Sequence, residues 1–209
     1  MGRKVQVPKE RILDTAFELL KREGGSAVSI TRIARELGTS TQPISWQFGG
    51  MDKLRGELAA RAQEYLNQKA NQVDRELRAK QPPLATLYAV GKAEVDLVYD
   101  EPNLVEFARF TRRPKEASML VDVILEDETH HSLIKAIARQ YGLSVNDARA
   151  VVRDCTIFSQ GICSMILTGM LEADRKTTHR IVKEHGARLI ASFGLPFDQV
   201  MLDMEQAQA

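Results

Sequence analysis

The chain has 209 residues, of which 44% are apolar and 27% are charged, enough for a sizeable hydrophobic core in one or two domains. No run of 18 apolar residues occurs, and no apolar stretch follows the basic residues Arg3 and Lys4, so neither a membrane span nor a secretory signal is predicted. Residues 1–61 hold 11 Lys and Arg against 7 Asp and Glu, a charge of +4, whereas the remainder holds 18 against 21, a charge of −3. A basic first third before an acidic remainder is typical of a nucleic-acid-binding domain attached to a second domain.

Three short helices are predicted in this basic third. Apolar residues recur at helical spacing after Pro8, and Gly24 ends the first helix. Ser29 is the predicted N-cap of the second helix and Ser40 that of the third. The three predicted spans are 8–23, 30–36 and 41–47.

The second and third predicted helices contain the most informative spacing in the chain. Ala34, Gly38 and Ile44 follow the pattern A-x3-G-x5-I. A small Ala34 lets the second helix of the pair approach, and Gly38 can adopt a positive φ where the first helix ends. An apolar Ile44 would hold the second helix against the core. The spacing predicts a helix-turn-helix, whose second helix enters the major groove of DNA.

The rest of the chain is also predicted to be helical. A long helix from Met51 to about Lys80 would extend roughly 45 Å at 1.5 Å per residue, enough to connect two domains. Pro102 and Pro114 stand at predicted helix starts. The later predicted spans are 83–99, 102–111, 114–140, 145–171 and 175–193.

The predicted helix over residues 145–171 is apolar around nearly its whole circumference, so it must be buried on several sides. We expect it to pair with the 175–193 helix and with the same two helices of a second copy, as a four-helix dimer interface. Cys155 and Cys163, the two cysteines of the chain, lie in this pattern and are predicted to be reduced core side chains of a cytoplasmic protein. The predicted interface residues are Val151, Cys155, Phe158, Ile162, Ile166, Ile181 and Leu189.

Three segments resemble the DNA-binding domain of the TetR family of bacterial repressors. They read ILDTAFELLKREG, SITRIARELGTS and PISWQFGGMDKL, and the resemblance covers about Lys9 to Leu58. It implies an all-α fold with an N-terminal three-helix helix-turn-helix domain in residues 1–50. It further implies a C-terminal helical ligand-binding and dimerisation domain in residues 51–209, connected through the long helix 51–80.

The implied function is that of a ligand-responsive transcriptional repressor, cytoplasmic and nucleoid-associated, which binds a palindromic operator as a homodimer. It implies double-stranded DNA and a small-molecule effector as partners, with no cofactor, no metal and no enzymatic activity. Two departures from the family pattern leave an alternative open, a helical protein-interaction or small-molecule-binding protein with a degraded DNA-binding function. Ser45 stands where the family usually has a phosphate-contacting tyrosine, and Met51 stands where it often has a lysine.

The predicted DNA-binding residues lie on or beside the third helix. The long amides of Gln42 and Gln47 can read adenine, and short hydroxyls can contact phosphates. Trp46 either faces DNA or packs under the long helix, while Arg3 and Lys4 are interpreted as a basic arm. The predicted set is Thr31, Arg32, Thr39, Ser40, Thr41, Gln42, Pro43, Ser45, Trp46, Gln47 and Lys53.

In the family that the chain resembles, the short helix after Pro102 lies beside the effector cavity and moves when effector binds. Several apolar residues near this helix and in the later helices are compatible either with the lining of that cavity or with an ordinary hydrophobic core. Adjacent His130 and His131 point about 100° apart on a helix, so they do not form a metal-binding face. The predicted pocket residues are Phe107, Phe110, Met119, Val123, Phe158 and Met165.

Overall fold

The computed structural model describes residues 7–77, 81–110 and 128–208, and every regular element in these ranges is helical. The predicted all-α class is therefore confirmed. Ten α-helices occur in the described ranges, followed by a 3-10 turn at Gln206–Gln208. They are α1 Lys9–Glu23, α2 Ile30–Glu36, α3 Gln42–Phe48, α4 Met51–Leu77, α5 Pro83–Asp100, α6 Pro102–Phe110, α7 Glu128–Tyr141, α8 Val145–Leu167, α9 Arg175–Ala191 and α10 Phe197–Glu205.

Helix α8 ends four residues before its predicted end, and one helix was not predicted. α8 ends at Leu167 because Thr168 is its C-cap and Gly169 takes a φ of 70°. α10 was not predicted, although Pro196 precedes it and apolar residues recur from Phe197 at helical spacing. Part of the predicted 114–140 helix lies outside the described residues, which resume at the start of α7.

The first compact unit comprises Met1–Gln68 and Glu101–Arg112. It extends past the predicted boundary at residue 50 because the first half of α4 supplies core residues and because α6 packs on α1. Leucines of α4 are fully buried in this unit, and Arg61 and Tyr65 on the same helix contact Glu10 and Phe17 of α1. The buried α4 side chains of this unit include Leu54, Leu58, Ala62 and Leu66.

The second compact unit comprises Lys69–Asp100 and Arg113–Ala209. Its centre is α5, which packs against α7, α8, α9 and α10 and buries six consecutive residues, Leu84 to Ala89. A polar network lies inside this unit, where Tyr141 donates to the buried carboxylate of Asp203 at 2.7 Å. Burial of the Tyr141 ring and that hydrogen bond raise the pKa of its hydroxyl well above the ordinary value.

Helix α8 is long and apolar enough, by length and composition alone, to cross a membrane. Its most apolar window has a mean hydropathy of 1.3, and only 28% of that window is buried. The core helix of a water-soluble protein passes the same test, and α8 packs against α5, α7 and α9. Part of α8 is therefore an outer face that the described residues leave uncovered.

Candidate nucleic-acid interface

The turn between α2 and α3 is built as its residue spacing predicts. The Ser29 hydroxyl caps α2 by accepting the Arg32 backbone N–H at 3.2 Å. Gly38 has a φ of 63°, and Thr39 donates its N–H to the Ala34 carbonyl at 3.0 Å, which closes α2 with a left-handed residue. Ala34 is buried and Ile44 is fully buried. The helix-turn-helix geometry therefore follows from these few residues.

Helix α3 presents a polar face to solvent and an apolar face to the core. Ile44 and Phe48 are buried, whereas Gln42, Ser45 and Trp46 are exposed on the opposite side. Trp46 is 76% exposed, so of its two interpretations the structure favours the solvent-facing one. A large aromatic ring held out beside a long amide and a hydroxyl is a surface suited to base edges in a groove.

The cap of α3 differs from the prediction. Its N-cap is Thr41 rather than Ser40, and no side chain caps the helix. Pro43 lies in the first turn, where its missing N–H leaves no hydrogen bond unmade. Thr39 is half-buried, whereas Ser40 and Thr41 are exposed. The hydroxyls of Ser40 and Thr41 are therefore open to solvent at the start of α3.

Gln47 has a structural partner that the sequence did not indicate. Its side-chain Nε2 donates to the backbone carbonyl of Val7 at 2.5 Å, and the side chain is half-buried. The donor that would read an adenine is thus engaged inside the protein. No local sequence signal joins positions that stand forty residues apart.

Arg32 is also committed to intramolecular partners. Its guanidinium pairs with Glu23 at 2.9 Å and with Glu36 at 3.1 Å. A hydrogen bond from Arg22 lowers the pKa of Glu23, which keeps that carboxylate ionised beside Arg32. Thr31, by contrast, is exposed at the start of α2.

The start of α4 forms a second candidate contact with a phosphate backbone. Gly49 and Gly50 have φ values of 69° and 131° and lead directly into the first turn of α4. Lys53 is exposed, and a Cβ at Gly49 would lie 3.6 Å from its Nζ. Free N–H groups at a helix start and a nearby ammonium group are favourable for an anion.

Helix α6 is fixed to the first unit by charged and aromatic contacts. Glu101 is 7% exposed, receives the Lys21 ammonium at 3.0 Å and accepts the Tyr65 hydroxyl at 3.1 Å. Asn103 donates to the Lys21 carbonyl at 3.0 Å. The Glu101 hydrogen bond raises the pKa of Lys21. No local sequence pattern predicts this cluster, because its members lie on α1, on α4 and at the start of α6.

Phe107 lies in the first unit, where it packs against Gly25 and Arg55. Its ring edge would be 2.7 Å from a Cβ at Gly25, and the Arg55 guanidinium lies 5.0 Å from the ring centroid. Arg55 also donates to the Gly25 carbonyl at 3.3 Å. The second glycine of the Gly24-Gly25 pair therefore makes room for α6, a role that its sequence position only hinted at.

The other predicted pocket residues are not brought together. Met119 and Val123 lie outside the described residues, as does the side chain of Phe110. Phe158 stacks on His185 with ring centroids 3.8 Å apart, and Met165 is 38% exposed on α8. A groove of about 650 Å³ does occur in the first unit between α1 and α4, but Arg61 in its wall pairs there with Glu10 at 2.6 Å.

The predicted dimer residues divide into two groups. Val151 and Ile162 are buried within the single chain, so they serve its core. Cys155, Phe158, Ile166, Ile181 and Leu189 are partly exposed, and Ile157 beside them is 51% exposed. Neither cysteine forms a disulfide bond. Although Cys155 is partly exposed as a residue, the protein atoms packed around its thiol raise the pKa of that thiol to about 12. Within the described ranges, no three His, Cys, Asp or Glu side chains are grouped to hold a metal ion.

Comparison with known proteins finds a family similarity within the first unit. Residues 12–58 match the model of the "Bacterial regulatory proteins, tetR family". No curated protein sequence matches the chain. A TetR-like transcriptional regulator from Rhodococcus sp. RHA1 superposes with a TM-score of 0.60 at 13% identity, over 91% of this chain and 98% of that one.

Two further solved structures share the fold. A tetR-family transcriptional regulator from Streptomyces coelicolor has a TM-score of 0.61 at 20% identity, over 97% of this chain and 91% of that one. A protein of unknown function from Rhodococcus sp. RHA1 has a TM-score of 0.64 at 20% identity, over 93% and 100%. At these identities the likeness is one of fold. Residues 12–58 are thus similar to the bacterial regulatory proteins of the tetR family, and the chain shares its fold with solved TetR-family transcriptional regulators.

Proposed function

We propose that this chain is a ligand-responsive repressor of the bacterial cytoplasm that binds a palindromic operator as a homodimer. The observation that carries the proposal is the exposed face of α3, where Gln42, Ser45 and Trp46 stand out from a helix held by buried Ile44 and Phe48. Two copies of this helix in successive major grooves would lie about 34–36 Å apart, one turn of DNA.

In this proposal, Gln42 and Trp46 contact the base edges. Gln42 is exposed, and its amide can both donate to and accept from one adenine edge. The Trp46 ring offers an apolar surface for a thymine methyl group. Thr31, Ser40, Thr41 and Lys53 contact phosphates, which orient α3 without selecting a sequence. These phosphate contacts take the place of the stronger ones that the family usually makes at the positions of Ser45 and Met51.

Dimerisation uses the outer face of α8 together with α9. Phe158, Ile166 and Ile181 are partly exposed there, and Ile157 and Met165 are 51% and 38% exposed. Apolar side chains that line one side of a long helix are covered at low cost by a second copy of the same helix pair. The symmetry of a palindromic operator then matches the two-fold symmetry of the protein.

Effector response is assigned to the second unit, with α6 as the element that the effector shifts. The ion pair at Glu101 and the contact of Phe107 with Gly25 tie α6 to the helices that carry α3. A small molecule that favours a different position of α6 would alter the DNA-binding unit through these contacts. A coupling of about 1–3 kcal/mol is the usual magnitude for such a response.

Fluorescence anisotropy on DNA that flanks the gene for this chain tests the DNA-binding role. We expect salt-sensitive binding at tens of nanomolar protein. Gln42→Ala should weaken operator binding by about 5- to 100-fold, as for loss of one base contact, and should leave random DNA almost unaffected. Equal losses on both DNAs would contradict base reading. No binding above that of random DNA would favour the alternative of a protein-interaction or small-molecule-binding protein.

Light scattering tests the dimer. Phe158→Arg should convert a dimer into a monomer, because it places a charge in an apolar interface. Leu202→Arg is the matched control, since Leu202 is an exposed apolar residue on α10, 55% accessible and outside the proposed interface. If Phe158→Arg remains a dimer, the interface does not include this part of α8.

A further inference from the structure

The two arginines of α2 have different surroundings. Arg32 is half-buried, and its guanidinium lies 2.9 Å from the Glu23 carboxylate and 3.1 Å from the Glu36 carboxylate. The Arg22 guanidinium of α1 lies 3.6 Å from the same Glu36 carboxylate, so this side of α2 faces α1. The network of ion pairs therefore fixes α2 to α1 and holds the Arg32 guanidinium against its own chain.

Arg35 lies on the outer face of α2, together with Thr31. Both residues are exposed, and their spacing of four places their Cβ atoms about 5–6 Å apart on one side of the helix. Arg35 directly follows Ala34, the small buried residue that lets α3 approach. Within the ranges that the structure describes, no side chain pairs with the Arg35 guanidinium. Arg35 is therefore an uncompensated positive charge on the helix that precedes α3.

We propose that Arg35, and not Arg32, is the arginine through which α2 binds a DNA phosphate. In a helix-turn-helix the first helix crosses the DNA backbone while the second lies in the major groove. An exposed guanidinium on that first helix can donate two parallel hydrogen bonds to one phosphate, and the Thr31 hydroxyl on the same face can donate to a neighbouring one. The inference rests on the DNA-binding function proposed above and adds a cationic phosphate contact to it.

The charges around α2 support this assignment. Glu23 and Glu36 would repel phosphates, but Arg22 and Arg32 balance them, two positive charges against two negative ones. Arg35 is the charge that α2 has left for DNA. The predicted basic arm of Arg3 and Lys4 lies outside the described residues and takes no part in this inference.

The experiment measures anisotropy binding curves between about 0.05 and 0.2 M salt, on an operator recovered by selection and on random-sequence DNA. The proteins are the wild type, Arg35→Gln, Arg35→Lys and Arg32→Gln, with thermal unfolding as the check on folding. Arg139→Gln is the matched control. Arg139 is exposed on α7 in the second unit, and no side chain within the described part of the chain pairs with it.

Loss of the Arg35 charge should change the salt dependence of binding. Each phosphate contact contributes about −0.9 to the slope of log K against log salt concentration, and the proposed dimer has two copies of Arg35. Arg35→Gln should therefore make this slope less negative by about 1.8. If the affinities converge at about 1 M salt, binding at about 0.1 M salt is about 60-fold weaker. The loss should agree within about twofold on the two DNAs, because phosphates carry no sequence information.

The other variants separate charge from structure. Arg35→Lys keeps the positive charge and should retain the slope of the wild type, whereas Arg32→Gln should change the slope by less than about half as much as Arg35→Gln. Arg139→Gln should change neither slope nor affinity. An unchanged slope in Arg35→Gln, or a larger change in Arg32→Gln, would overturn the proposal, as would a loss confined to the operator. A wild type that binds neither DNA would instead refute the proposed function itself.

Discussion

Gly25→Ala tests whether α6 is fixed to the turn between α1 and α2 by close packing. A Cβ at this position would lie 2.7 Å from Cδ2 of Phe107 and 3.3 Å from Cε2. The Phe107 side chain is buried, and the Arg55 guanidinium lies 5.0 Å from its ring centroid. The ring therefore has little freedom to move aside. The backbone of Gly25 is not in the left-handed region, so an alanine meets no conformational strain there.

The expected cost follows from two opposing effects. Ordinary contact begins near 3.4 Å, so the ring or the turn must shift by about 0.7 Å, and overpacking of this kind costs about 1–3 kcal/mol. Replacement of glycine by alanine restricts the unfolded chain, which offsets about 0.4–1 kcal/mol of that cost. The net loss in the free energy of unfolding should be about 1–2 kcal/mol. With a typical urea m-value of about 2 kcal/mol/M, the midpoint should fall by about 0.5–1 M.

Urea unfolding followed by circular dichroism measures this shift. Gly56→Ala is the matched control, because Gly56 lies inside α4 with nothing within 4 Å of an added Cβ. It should raise the free energy of unfolding by about 0.5–1 kcal/mol through helix propensity. Phe107→Leu removes the clashing ring edge, so the double variant with Gly25→Ala should lose less stability than the sum of the two single changes. Additive losses, or a stabilised Gly25→Ala, would refute the packing argument.

Three further predictions concern single side chains. The hydrogen bond to Glu101 raises the pKa of Lys21, so the stability that Lys21 contributes is complete below the unfolded pKa of about 10.4 and is lost as pH rises through the higher folded pKa. The urea midpoint should therefore fall more between pH 8 and pH 11 in the wild type than in Lys21→Met. Equal falls in the two proteins would contradict the ion pair between Lys21 and Glu101. Gly38→Ala should cost about 1–2 kcal/mol because its φ of 63° is left-handed although the space around it is open, and an unchanged urea midpoint would argue against this turn geometry. Trp46→Ala should change stability by less than about 0.5 kcal/mol because the ring is 76% exposed, while it weakens operator binding; a large drop in thermal stability would place the ring in the core.

The amino-acid sequence predicted the elements whose causes are local. Ala34, Gly38 and Ile44 specify the helix-turn-helix through side-chain size and backbone freedom within eleven residues. Ser29 caps α2 as its position indicated. Local capping, φ preference and helical periodicity are readable without a fold, because each depends only on neighbours within about one or two turns of helix.

Contacts between distant segments could not be read in this way. The sequence predicts Gln47 as a base reader and gives no sign that its amide donates to the Val7 carbonyl. It predicts Phe107 as a pocket residue and gives no sign that its ring packs against Gly25. Val151 and Phe158 share one apolar pattern, but only the packing of α8 decides that the first is buried and the second partly exposed.

By itself the sequence determined the all-helical class, the order of the helices through α6 and the motif that matches the tetR family, because periodicity and capping are local properties. Tertiary structure alone decided that α6 packs with the first unit, which side of α8 is left uncovered, and which amide of α3 is free to meet DNA. These depend on which segments meet in space, and a helical pattern identifies an apolar face without naming what covers it.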